Sequence, residues 1–200
     1  MEDFLYPYEW GDYKVVILPP AFPLGGMENP LLTFASPSII VGDKSNVDVA
    51  THEMAHSWSG NLVTNLNWSN FWLNEGATVF TERKVTAMQE GIEFTRVAAK
   101  LANFSLVASI EEYGWDDNWS SMTPHFDIEK GGTPDDAFST IPYEKGYQFL
   151  FYLESLVGEE IFHEFYLEYF HKNERHSVTV EQFQDQFVRT LYDSMEHDKA

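Results

Sequence analysis

The segment His52-Glu53-Met54-Ala55-His56 constrains this chain more than any other. Two imidazoles four residues apart meet on one face only when the backbone between them is helical. Side by side, they can reach a single metal ion, and a catalytic zinc site takes three protein ligands and keeps a fourth position open. Glu75, in Trp72-Leu73-Asn74-Glu75-Gly76, supplies the third ligand. With seven His and twenty Glu in 200 residues, the first pentapeptide arises by chance in about one chain in forty. The carboxylate at a fixed distance behind it makes coincidence roughly tenfold rarer. Glu53 then reads as a general base, taking the proton of a water whose pKa zinc lowers towards ~7. Glu82 lies two turns beyond Glu75 on the same expected helix. It either reaches inward to orient an imidazole or stays exposed as a partner of Arg83 or a neighbour, and spacing leaves both open.

The chain has no cysteine, so His and carboxylates are its only strong metal ligands. Acidic residues outnumber basic ones 32 to 12, for a formal charge of -20. Such a surface repels phosphate backbones and anionic headgroups, which argues against a nucleic-acid or membrane partner. Ser57 to Asn74 carries no charge, yet Asn61, Asn65, Asn67, Asn70 and Asn74 make it too polar for lipid. Met1 to Tyr8 carries Glu2 and Asp3 rather than a basic segment and apolar core. A cytoplasmic location is therefore expected. His125, His163, His171, His176 and His197 share no ligand spacing and are read as structural or exposed.

Length and a 44% hydrophobic, 16% aromatic composition suit one domain with a substantial core. Its character changes near Asp43. The expectation is one α+β domain over residues 1–200, strand-rich over 1–43 and helical over 44–200. Lys14 to Leu18 and Ser38 to Val41 read as strands of a small irregular sheet. Five or six helices follow. The first opens at Ser45 with Asp48 and runs to Gly60, and the second runs from about Asn70–Asn74 to Gly91. The third carries Phe94, Val97, Ala98, Leu101, Phe104 and Ala108 as a core-facing stripe. Tyr143 to Val157, Glu159 to His171, and a helix capped by Thr179 with Gln182 complete the set. Between Tyr113 and Pro142 lies a long aperiodic stretch, placed beside the active site because loops of this length usually serve function.

With those residues in view, the chain resembles the gluzincin zinc aminopeptidases, in the branch of leukotriene A4 hydrolase and aminopeptidase B. HEMAHSW with Glu75 in WLNEG follows that family's zinc signature. Gly25-Gly26-Met27-Glu28-Asn29 matches its exopeptidase motif, and Pro142-Tyr143-Glu144-Lys145-Gly146 matches the segment bearing its oxyanion-stabilising tyrosine. The resemblance implies a thermolysin-like zinc peptidase catalytic domain, one Zn2+ per chain and peptide substrates with a free amino terminus. It also implies that Gly25, Gly26 and Met27 lie along the substrate backbone while Glu28 binds the α-ammonium group. Asp135 stands where the branch has an aspartate tied to basic side-chain preference and to epoxide hydrolysis. Phe138 replaces the branch's nearby tyrosine, which argues against leukotriene-type lipid specificity. The family's N-terminal β domain and C-terminal helical domain do not fit in this length and would be partners held elsewhere. Competing readings are a zinc-bearing inactive fragment and a zinc endopeptidase.

Overall fold

The computed structural model describes residues 1–197. Strands β1 (Lys14–Ile17), β2 (Gly26–Met27) and β3 (Leu32–Ala35) form a three-stranded sheet in the order β1-β3-β2. β1 runs parallel to β3 and β2 antiparallel to it. Ser38 to Val41 is not a strand, because Ser36 caps a 3-10 turn over Pro37–Ile39 and accepts from the Ser38 N–H. Proline at the start of such a turn favours it over a sheet ladder.

Helix α1 (Val47–Ala55) follows. Asn46 precedes it without a side-chain cap, and the Ser45 N–H instead donates to Asp43 Oδ1 at 3.0 Å. The helix ends five residues before Gly60, where the chain tightens into a turn: Asn61 N–H donates to His56 O at 3.0 Å and Gly60 N–H to Val63 O at 2.8 Å. β4 (Val63–Asn65) pairs in parallel with β5 (His176–Val178), over a hundred residues away and invisible to local periodicity.

The architectural centre is α2 (Trp72–Glu90), flanked by α1, α3 (Ile92–Tyr113) and α4 (Gly146–Val157). Ten consecutive residues, Trp72 to Thr81, are buried, as expected of a helix covered on all sides. α2 stops at Gly91 and α4 at Gly158, each at positive φ, which glycine adopts without a Cβ clash. Helices α5 (Glu159–Asn173) and α6 (Val180–His197) close the other side. The α6 start is the expected capping box: Thr179 N–H donates to Gln182 Oε1 at 2.8 Å, and Gln182 N–H to Thr179 Oγ1 at 3.3 Å. An aromatic cluster of Phe80, Phe162, Phe165, Tyr166 and Phe170 fills the core. Edge-to-face pairs such as Phe80–Phe162, with centroids 5.3 Å apart, give it a defined geometry.

The α3 stripe is reversed relative to expectation. Phe94, Val97, Leu101 and Phe104 are 58% to 62% exposed, while Thr95, Leu106 and Ile110 are buried. A 3.6-residue period identifies two faces but not which one meets the neighbour. Here α3 lies on α2 and on the turn before α4 through Leu106 and Ile110, against Ile141. Among the described residues, no helix is long and apolar enough to cross a membrane.

Candidate active site

The α1 periodicity does place His52 and His56 together, with Nε2 atoms 3.1 Å apart. Glu75 Oε2, from the first turn of α2, lies 3.2 Å from His52 Nε2 and 3.3 Å from His56 Nε2. The remaining ring nitrogens are committed elsewhere. His56 Nδ1 donates to Ser59 O at 2.8 Å, and His52 Nδ1 donates to Glu82 Oε2 at 3.0 Å. Each Nε2 therefore faces the other and a carboxylate oxygen. Three electron-rich atoms this close repel one another unless positive charge sits among them. The donor set thus fits a zinc-type ion, with Glu82 in the orienting role that spacing left open.

The titration behaviour shows the same demand for positive charge. Burial alone would lower both histidines, but Glu75 and Glu82 raise His52 well above its ordinary value, and Glu75 raises His56. Burial would raise Glu75, yet the neighbouring imidazoles hold it down at about 2.

Glu53 faces the same cavity, of about 800 Å³. Burial pushes its carboxyl up to about 7, with His56 and His52 partly offsetting and Glu28 and Glu75 adding to the rise. Among the described residues, its Oε2 is buried without a protein partner. Gly26 makes this position available, since a Cβ there would clash with the Glu53 carboxylate. β2 and its continuation place Gly25, Gly26, Met27 and Glu28 along one wall. Asn61 Nδ2 donates to Glu28 O at 2.7 Å, and Asn74 Nδ2 to Glu28 Oε1 at 3.5 Å. Oxygens of Glu28 and Glu53 and a nitrogen of His56 converge within 4.8 Å.

Tyr143 lines the cavity from a π-helical turn, Ile141–Lys145, that leads directly into α4. Its ring stacks on His52 (centroids 6.0 Å apart, planes at 25°) and meets Phe71 and Phe138 edge-on. Burial first, then the charges of Glu75, Glu28 and Glu53, raise its pKa, so the phenol stays neutral and able to donate. The long stretch before it does border the site, through Phe138.

Asp135 stays apart. It is exposed on the 3-10 turn Pro134–Ala137 and does not line the cavity. Thr133 and Asp136 close that turn with reciprocal hydrogen bonds, which fix it at the surface.

Sequence reasoning missed the supports. Thr78 Oγ1 sits 3.0 Å from His56 Nδ1 and donates to Ser59 O at 3.2 Å. Ser59 Oγ in turn donates to the α2 carbonyls of Leu73 and Asn74, at 3.1 and 2.9 Å. Glu75, Thr78 and Glu82 at i, i+3 and i+7 form a polar stripe on one helix face, and that spacing could have revealed Thr78.

A family profile described as "Peptidase family M1 domain" matches residues 1–197. The chain belongs to peptidase family M1. Leucine aminopeptidase 2 of Emericella nidulans is 54% identical over 170 residues, covering 85% of this chain and 27% of that relative. The Neosartorya fischeri enzyme of the same name is 46% identical over 200 residues, covering 100% of this chain and 32% of the relative. This M1 chain therefore spans under a third of the length of these relatives. Native leukotriene A4 hydrolase from Saccharomyces cerevisiae superposes with a TM-score of 0.89 at 41% identity, covering 99% of this chain and 31% of that one. An M1 zinc metallopeptidase from Deinococcus radiodurans shares the fold, with a TM-score of 0.74 at 22% identity over 98% of this chain and 40% of that one. The gluzincin resemblance and the α+β fold class read from the sequence are both borne out.

Proposed function

We propose that this chain is a zinc aminopeptidase that removes the N-terminal residue of short peptides and binds one zinc ion through His52, His56 and Glu75. The observation that carries this reading is the placement of Glu28. Its carboxylate converges with Glu53 and His56 within 4.8 Å, beside the ligand triangle and on the cavity wall formed by Gly25 to Met27. An α-ammonium group paired there places the peptide bond one residue in beside the catalytic groups, which defines exopeptidase action. The leucine aminopeptidase relatives support the same substrate class.

Zinc, when bound, supplies Lewis acidity and makes a water acidic enough to ionise near neutral pH. Glu53, with a carboxyl near 7, accepts the water's proton as its oxygen attacks the carbonyl, then delivers it to the leaving amine. Tyr143 donates a hydrogen bond to the developing oxyanion. Glu82 and Ser59 hold the two imidazoles in the tautomer that leaves Nε2 free.

The test is hydrolysis of aminoacyl amides and matched free and N-acetylated peptides by the purified, zinc-loaded chain. Release of the first residue from free peptides alone is expected. Internal cleavage of acetylated peptides at equal rates would establish an endopeptidase instead. Likeness to yeast leukotriene A4 hydrolase favours epoxide hydrolysis as a second activity. Phe138, set edge-on to Tyr143, offers no hydroxyl there. Turnover of a lipid epoxide by the same preparation decides it.

A further inference from the structure

The turn that carries Tyr143 is held from below by a side-chain pair for which the catalytic reading has no use. Glu144 is 2% exposed and does not line the cavity. Its two carboxylate oxygens accept from Arg83 in fork geometry, Nη1 at 2.9 Å and Nη2 at 2.7 Å. The guanidinium lies 4.0 Å from the ring centroid of Tyr147, and Gln148 Nε2 reaches Glu144 Oε1 at 3.5 Å. A planar fork stacked on a ring and bonded twice has one orientation, so Arg83 fixes Glu144 in angle as well as in distance.

Position along α2 gives this pair its significance. Arg83 directly follows Glu82, which holds His52, and the two side chains leave the helix about 100° apart. One turn of α2 therefore addresses a metal ligand on one side and the Tyr143 turn on the other. That turn is π-helical, a conformation that persists only where its surroundings impose it and that recurs at functional sites.

We propose that Arg83 is a positioning residue for Tyr143: its grip on Glu144 imposes the π-helical turn and keeps the Tyr143 ring stacked beside His52. This rests on the aminopeptidase reading, in which the Tyr143 hydroxyl stabilises the oxyanion. Arg83 touches no reacting atom, and its effect on turnover passes entirely through Tyr143.

The experiment is a double-mutant cycle on the zinc-loaded chain with an aminoacyl amide. Arg83→Lys keeps the charge but loses the fork. It is expected to lower kcat about tenfold, with KM within about twofold and zinc content unchanged. In a Tyr143→Phe background the same substitution should change kcat by less than about twofold, because no hydroxyl remains to be misplaced. Equal losses in the two backgrounds, or no loss in the first, overturn the proposal. Should Arg83→Lys fail to fold, Arg83→Met/Glu144→Met removes the pair without leaving a buried charge, and it is read by the same cycle. If the wild-type chain hydrolyses no amide, the aminopeptidase reading fails by itself. The positioning claim is then decided by crystal structures of the wild type and the folded variant. Displacement of the Tyr143 ring from His52 by about 1 Å or more, with His52, His56 and Glu75 unmoved, supports it, and an unmoved ring overturns it.

Discussion

Gly76 and Gly146 sit where α2 crosses the start of α4, and replacing Gly76 with alanine probes how closely the two halves of the site are coupled. A Cβ at Gly76 would lie 2.7 Å from Gly146 Cα, 2.8 Å from Gly146 C and 3.2 Å from Tyr147 N. Ordinary contacts of this kind are 3.4–4 Å, so the backbones would have to separate by about 1 Å, with no rotamer able to yield. Two opposed terms set the stability change. Alanine is favoured over glycine in a helix interior by ~1 kcal/mol, whereas overpacking costs ~1–3 kcal/mol. The net is a loss of about 0–2 kcal/mol, equivalent to a fall in Tm of up to ~8 °C for a chain of this size. Catalysis should suffer more than stability. Gly76 adjoins Glu75, the proposed zinc ligand, and Gly146 begins the helix reached from Tyr143, so a shift of about 1 Å between them should cost turnover ~10²-fold. Differential scanning calorimetry, zinc stoichiometry and kcat on an aminoacyl amide measure the three quantities. A Gly76→Ala chain with raised Tm and wild-type kcat would refute this coupling, since the helix-propensity gain would then stand alone.

Glu53→Gln is expected to retain zinc by elemental analysis while losing about 10²- to 10⁴-fold in kcat, because an amide cannot accept the water's proton. Near-normal turnover would remove Glu53 from the base role. Chelating zinc that had been held at a hundredfold over its Kd should withdraw ~2.7 kcal/mol of binding stabilisation, a fall in Tm of ~5–11 °C. Glu75→Ala should abolish that difference, and a chelation-sensitive Tm in this variant would show that Glu75 is not a ligand. Glu28→Ala removes a charge-assisted hydrogen bond worth ~1.5–3 kcal/mol, so kcat/KM on free peptides should fall about 10- to 160-fold. The gap between free and acetylated peptides should narrow with it. An unchanged preference for free amino termini would place the ammonium subsite elsewhere.

What the sequence determined by itself is whatever depends on neighbours within about one helical turn. His52 and His56 share a face because helix geometry requires it, and the Thr179–Gln182 box and the glycine stops at Gly91 and Gly158 are equally local. The exopeptidase and tyrosine segments were legible as motifs, and Glu28 and Tyr143 both line one cavity. Tertiary structure decided the rest. Spacing alone offered Glu82 both Arg83 and His52 as partners, and packing gave Glu82 to His52 and Arg83 to Glu144, 61 residues along the chain. The sequence offered Ser38–Val41 as a strand, but the ladder formed at Leu32–Ala35, flanked by β1 and β2, and Pro37 opened a 3-10 turn instead. The α3 stripe had the correct period and the wrong direction, since only contact with α2 and Ile141 determines which face turns inward. Local chemistry limits what each segment can be, and long-range burial chooses among the options because its free energy depends on which surfaces meet.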